Sequence, residues 1–370
     1  MAEQVIKPDL EFVKGVIAAG GESLKKCYQC ATCTVVCKVT PDENPFPRKE
    51  MVWAQWGLKE KFQGNPDVWL CHQCSDCTAY CPRGAKPGEV LGAIRKQTIK
   101  QYSAPGALVD IVNNKALLPL IFVFPTVLLA VLLSVVGTFG VPEGDVVFSK
   151  FASTGFLQLV FTPALLFGFA VGVVGMKKFW SDMKSANNVS SGDLKTSLID
   201  TFKDIAGHER FKKCNENSDR FTSHLLVFYG FVAAAIATAL GVLYIDILHM
   251  ESPFRLGYGT PVKIFGNLGA IGIIVGILLM MSNRFKHAKK LGGAGSYFDW
   301  LLITIIAVIG ISGFLAQLFR IAGVAPIAYP VYFIHLVFVF SLFIYFPFSK
   351  LAHMFYRGAA ICFNKYSGRE

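Results

Sequence analysis

The sequence has 370 residues, 53% of them hydrophobic and only 16% charged, with a formal net charge of +11. That apolar content excludes a disordered chain, and its concentration after about residue 115 excludes a single soluble domain. The chain reads as two halves made for different solvents, with boundaries expected at 1–114, 115–356 and a short tail at 357–370.

The first half is polar and mixed, which predicts a soluble, mostly helical domain with helices over Arg48–Gln63 and Gly88–Gln101. Two copies of one spacing, C-x2-C-x2-C-x3-C, run through it: Cys27, Cys30, Cys33 and Cys37, then Cys71, Cys74, Cys77 and Cys81. A soft thiolate at each position suits a pair of [4Fe-4S] clusters. In two-cluster ferredoxin arrangements the fourth cysteine of each run serves the other cluster. One cluster is therefore assigned to Cys27, Cys30, Cys33 and Cys81, and the other to Cys71, Cys74, Cys77 and Cys37. Structural zinc and disulfides are the alternatives. Zinc typically uses two separated pairs of ligands, and disulfides suit an exported domain, whereas no signal peptide precedes these cysteines. His72, between Cys71 and Cys74, is expected to tune a cluster without ligating it. Cys214 and Cys362 read as isolated thiols without ligand spacing.

Six apolar segments follow, at roughly 116–140, 154–178, 222–249, 262–282, 298–319 and 331–349, each long enough to cross a bilayer as a helix. Lysine and arginine crowd the connections after the second, fourth and sixth segments, seventeen in all, against four on the other side. That bias places both termini and the cysteine half on the cytoplasmic face of the inner membrane. The net charge then reflects topology and contact with anionic lipid; with no basic stripe interleaved with aromatics, nucleic acid is not an expected partner.

Four of the seven histidines fall within or at the ends of these segments: His224, His249, His335 and His353. An ionisable side chain in a bilayer is costly and marks function by default. On one continuous helix His335 and His353 would be five turns apart on one face, suited to one axial ligand for each of two stacked haems. Topology pairs His353 with His224 near the cytoplasm, and His335 with His249 toward the outer side. His208 and His287 lie in basic loops and are expected to be solvated, and the glycines at 292, 293 and 295 read as a loop and no phosphate cradle.

Both halves resemble known families. The first resembles the C subunit of heterodisulfide reductase, two cubane motifs separated by a stretch containing PFPRKEM at Pro45–Met51. The segment HLVFVFSLFIYFPFSKLAHMFY, His335 to Tyr356, resembles the last haem-binding helix of the membrane subunit of respiratory nitrate reductase. That resemblance implies b haems on His335 and His353, with His224 in RFTSHLL as the partner of His353. That family has a further histidine ten residues on, where this chain has Ala234, so His249 is a substitute inferred from topology.

The fusion as a whole is similar to the C subunits of the quinone-interacting membrane-bound oxidoreductases of sulfate-reducing bacteria. The resemblance implies menaquinone as substrate, two flavin and iron-sulfur partner subunits resembling heterodisulfide reductase A, and a link to adenylylsulfate reductase. The expected fold is all-α: a helical two-cluster ferredoxin-like domain followed by a six-helix transmembrane dihaem cytochrome b bundle. The expected function is electron transfer between quinone and cytoplasmic partners. Lys263, Asp246 and Glu251 are the candidates for proton-coupled chemistry at the quinone, and Lys263 resembles in placement a quinol-site lysine of the nitrate reductase family; flanking topological charge is the alternative reading. An ion-translocating subunit would instead show carboxylates or broken helices at mid-membrane, and a plain anchor would need only a structural metal domain.

Overall fold

A computed structural model describes residues 7–189, 192–216, 218–250, 260–291 and 295–369. No strand occurs among them. The first seven helices are α1 (Leu10–Val16), α2 (Thr32–Val35), α3 (Arg48–Gln55), α4 (Asp67–Leu70), α5 (Asp76–Ala79), α6 (Pro87–Tyr102) and α7 (Gly106–Val112). Then come α8 (Leu118–Val136), α9 (Phe148–Phe151), α10 (Thr154–Ala186), α11 (Leu194–Gly207), α12 (Glu209–Lys212), α13 (Arg220–Val242), α14 (Pro261–Leu291), α15 (Tyr297–Ile321), α16 (Ala325–Tyr345) and α17 (His353–Tyr366). Six of these, α8, α10, α13, α14, α15 and α16, are long and apolar enough to cross a membrane. Their outer faces stay apolar and open, as at Val135, 80% exposed, and Leu159, 77%, which suits a lipid surround.

The stretch 48–63 is not one helix. Gly57, at φ +67°, turns the chain after α3, and its carbonyl accepts the Asp9 N–H at 2.9 Å, so the helical character resumes only as a short 3-10 segment at Lys59–Phe62. Within the bundle, α13 and α14 approach closely because small residues face each other. A Cβ on Gly230 would stand 2.8 Å from Ile273 Cγ1 and 2.9 Å from its backbone nitrogen.

The sixth span departs from the continuous helix expected of it. Helix α16 stops at Tyr345, where Pro347 withholds a backbone N–H; Ser349 is extended, at ψ −177°, and α17 starts afresh at His353. His335 and His353 therefore sit on different helices, and the five-turn, one-face relation between them does not hold. The boundary expected at 356/357 falls inside α17, which is packed against the cysteine half rather than trailing as a tail: Trp69 meets Tyr356 at 5.2 Å and Arg369 pairs with Asp67 at 2.8 Å.

Those contacts belong to one apolar core that runs from the cysteine half into the membrane helices. Tyr102 packs against Phe179 of α10, with ring centroids 5.2 Å apart and planes at 60°, and donates to Asp182 at 2.8 Å, while Ser103 Oγ donates to the Pro347 carbonyl at 2.9 Å. The cysteine half thus sits on the ends of α10 and α13 and on the 346–366 segment.

Under this junction, Asp67 is held by Lys49 at 2.6 Å and by Arg369, and fully buried Glu50 lies beside it. Burial, aided by the Asp67 charge, pushes the Glu50 carboxyl up to about 8. A raised carboxyl pKa means that the folded state binds the proton more tightly than the unfolded one. Its stabilisation is complete below the ordinary 4.5 and is lost as pH rises through about 8. The melting temperature of the detergent-solubilised protein, measured relative to that of Glu50→Gln, is expected to fall between pH 5.5 and 8.5. The variant is the reference because groups such as His72, whose depressed pKa gives the opposite slope, act in both proteins. Circular dichroism at both pH values checks it, and an unchanged slope in the variant would contradict it.

Candidate functional site

The two cysteine runs adopt one backbone shape. Gln29 and Ala31 in the first run have φ of +62° and +70°; Gln73 and Ser75, at the same places in the second, have +55° and +76°. A non-glycine residue in this region costs roughly 1–2 kcal/mol, and such strain gathers at functional sites. Here it turns the Gln29 N–H onto Cys27 Sγ at 3.4 Å and the Gln73 N–H onto Cys71 Sγ at 3.3 Å, and starts the short helices α2 and α5 that carry Cys33 and Cys77.

Cys27, Cys30, Cys33 and Cys81 line one small cavity. The Cys33 thiol is pushed up to about 11 by burial, with the charges of Cys27, Cys30 and Cys81 around it. Burial likewise lifts Cys77 well above the usual thiol range, and the neighbouring sulfurs acting on it are Cys71, Cys74 and Cys37. Such thiols resist ionisation until a cation compensates them, as iron would.

His72 is buried, and burial together with Arg357 and three further arginines pushes its pKa down, so the ring is neutral. Its Nε2 accepts from Arg357, which leaves the proton on Nδ1, a buried donor without a partner among the described residues. An orphaned donor between two cluster cysteines fits a sulfur acceptor.

Two expectations for the segment between α11 and α13 are corrected: that His208 is solvated, and that Cys214 is an isolated thiol. His208 is buried, with Nε2 2.9 Å from His224 Nδ1, because α12 folds its aromatic face inward. Cys214 is buried too, and its thiol donates to the Cys74 sulfur, a bond that lowers the Cys74 pKa and raises that of Cys214. Asp76 fastens this loop by accepting the N–H groups of Asn215 at 3.2 Å and Glu216 at 2.8 Å. Between the two ends lies Phe211, with ring centroids 4.9 Å from His72 and 4.9 Å from His224. No sequence spacing links His208, Phe211 and Cys214 to the sites that they join.

The structure brings His224 and His353 together, with ring centroids 6.4 Å apart and planes at 77°. An imidazole nitrogen ligates a metal at about 2 Å, so two axial rings on one metal ion have centroids about 6 Å apart. Both rings also have Nδ1 engaged, His224 with His208 and His353 with the Lys350 carbonyl at 2.7 Å, which aims Nε2 into the gap in the manner usual for ligating histidines. The pair fits an axially ligated haem iron.

His335 has its Nδ1 on the Ile309 carbonyl at 3.0 Å and near Ser312 Oγ at 3.2 Å, again leaving Nε2 free to ligate. His249 is not beside it among the described contacts. Helix α13 ends at Val242, a π-helical turn covers Leu243–Ile247, and His249 is exposed at φ +49°, so the straight register from His224 to His249 is broken. Of the quinone candidates, Asp246 accepts from Gln158 Nε2 at 2.6 Å and Lys263 lies in the first turn of α14, both at the end of the bundle away from the cysteines; Glu251 lies outside the described residues. His287 is half-buried in the wall of a cavity that His353 also lines, not in open solvent. Cys362 is buried in α17.

Two family models match separate parts of the chain. Residues 23–85 match the 4Fe-4S dicluster domain, and residues 113–369 match the citrate utilization protein B family. The chain belongs to the citrate utilization protein B family. The Escherichia coli citrate utilization protein B is 26% identical over 372 aligned positions, covering 91% of this chain and 89% of its own length. The C subunit of the H(2):CoB-CoM heterodisulfide,ferredoxin reductase of Methanothermobacter marburgensis is 36% identical over 99 residues, 26% of this chain and 53% of that protein. A protein of Archaeoglobus profundus described as similar to the heterodisulfide reductase C subunit is 32% identical over 85 residues, 23% of this chain and 45% of that protein. The chain spans about half the length of these two relatives. No solved structure matches it. This member of the citrate utilization protein B family thus joins a 4Fe-4S dicluster domain, related to the C subunit of heterodisulfide reductase, to a bundle of six helices long and apolar enough to cross a membrane.

Proposed function

We propose that the protein exchanges electrons between the menaquinone pool and cytoplasmic flavoprotein subunits. The carrying observation is the 208–214 segment, which touches the haem-ligand candidate His224 at one end and the cluster cysteine Cys74 at the other. In this reading Cys27, Cys30, Cys33 and Cys81 hold one [4Fe-4S] cluster, and Cys71, Cys74, Cys77 and Cys37 hold the second. His224 and His353 hold a b haem, and His335 supplies one ligand of a second. Bound there, these groups supply one-electron carriers. The chain's part is to fix them: strained loops present the thiolates, His208 and the Lys350 carbonyl orient the axial imidazoles, and Phe211 keeps water out of the gap. At the far end, Asp246 and Lys263 are placed to move protons for a bound quinol, in the inner membrane, with both termini and the cysteines in the cytoplasm.

For the partners, the resemblance to sulfate-reducer complexes favours two flavin and iron-sulfur subunits linked to adenylylsulfate reductase. The near-complete alignment with the E. coli relative favours a second reading, in which the partner acts in citrate utilization. Affinity purification of the tagged chain from its native membrane, with the co-purifying flavoprotein identified, decides between them. The electron-transfer reading itself is tested by adding menaquinol to the purified chain: b-type absorption and reducible iron-sulfur signals are expected, and absence of either overturns it. Cys214→Ala is expected to lower the potential of the second cluster alone, because a lost hydrogen bond to a cluster sulfur makes reduction harder. Potentiometric EPR reads this, and an equal shift in both clusters would refute a local role for Cys214.

A further inference from the structure

A cavity of about 310 Å³ lies between the cysteine half and the ends of α13, α14 and α15, with His353 in its wall. Five lysines and arginines line it against three carboxylates, an excess of two positive charges. Arg220 spends its hydrogen bonds on the carbonyls of His72 and Gln73, both at 2.9 Å, and Arg95 on the Cys71 carbonyl at 3.1 Å. Both Arg220 bonds come from one nitrogen, Nη1, and bonds to neutral carbonyls cancel neither charge. Arg284 and Lys350 share the single carboxylate of Asp299, Arg284 at 3.6 Å.

Two donors in the wall, Trp69 Nε1 and Arg284 Nε, are buried without a hydrogen-bond partner among the described residues, and Trp69 is only 1% exposed. Net charge and orphaned donors are costly to bury, so the cavity is built for acceptors that carry negative charge. Their position identifies them. Arg220 stands one turn before His224 on the same face of α13, and Lys350 three residues before His353, so the cations flank the two facing imidazoles.

We propose that this cavity receives the carboxylate edge of the haem held by His224 and His353, with Arg220, Arg284 and Lys350 taking its two propionates and Trp69 donating to one of them. The inference rests on the haem reading above. It assigns to the cavity a porphyrin dicarboxylate; a site for a free dicarboxylate would be indifferent to whether the porphyrin carries its acids.

The test titrates the full chain, produced without haem, with haem and with haem dimethyl ester, and follows the b-type spectrum. Wild type is expected to bind haem at least about tenfold more tightly than the ester, the effect of one charge-assisted hydrogen bond. Arg284→Gln is expected to shrink that preference, and Trp69→Phe, which removes only one donor, to shrink it less. Intact iron-sulfur EPR signals serve as the folding control. Equal binding of haem and ester by wild type, or an unchanged preference in both variants, overturns the propionate assignment while leaving the axial pair in place. Failure to bind either porphyrin overturns the axial pair as well.

Discussion

Replacing His353 with alanine is expected to abolish one b-type haem signal and leave both iron-sulfur signals intact. The ring has no substitute: it opens α17 with Nδ1 fixed on the Lys350 carbonyl and stands opposite His224 at the separation that two axial ligands require. His224→Ala should remove the same signal, whereas His335→Ala should remove the other, since His335, on α16, is oriented separately by the Ile309 carbonyl of α15. A graded result is expected at His208. Losing the hydrogen-bond partner of a ligand typically weakens metal affinity 10–100-fold rather than abolishing it, so His208→Ala should keep the haem but hold it more loosely. Low-temperature absorption on each purified variant reads all four. Loss of both haems in His353→Ala would show that the sites are not separate.

The second large effect concerns which run supplies which cluster. Cys37→Ala is expected to destroy the cluster formed mainly by Cys71, Cys74 and Cys77, and Cys81→Ala the one formed by Cys27, Cys30 and Cys33. The basis is neighbourhood: Cys37 is crowded by Cys71 and Cys74, and Cys81 shares a cavity with the first three cysteines. Burial pushes the Cys37 thiol up to about 12, so its ionisation depends on the iron that it meets. EPR at two potentials distinguishes the clusters. If each variant loses the cluster of its own run, the crosswise assignment is wrong.

What could be read from the chain alone was local. Cysteine spacing and unbroken apolar runs are properties of consecutive residues, so the dicluster domain and all six spans were legible. The longer reach of α10 and α14 beyond their apolar stretches follows from lysine-bearing turns that continue each helix, to Ala186 and Leu291. Where a helix stops was harder to see. Pro347 lies in an otherwise apolar run, and the expectation that His335 and His353 share a face assumed that the run stayed helical through it. The contacts that join the sites were not legible at all. His208, Phe211 and Cys214 sit among lysines and arginines in a short connection, and only docking against α5 and α13 buries His208 and Cys214 and sets Phe211 between them. The strained positions in the cysteine loops were hidden for another reason: Gln29, Ala31, Gln73 and Ser75 carry no glycine signature.

The docking of the 346–369 segment and the 208–216 loop onto the cysteine half bears on how the molecule can be rearranged. Ser103 reaches Pro347, Asp67 reaches Arg369 and Asp76 reaches Glu216, each across more than a hundred residues of chain. The two halves are therefore not interchangeable modules. A chimaera that joins this cysteine half to another membrane cytochrome must carry both segments with it, or it will lose the seam that makes the halves unfold as one cooperative body.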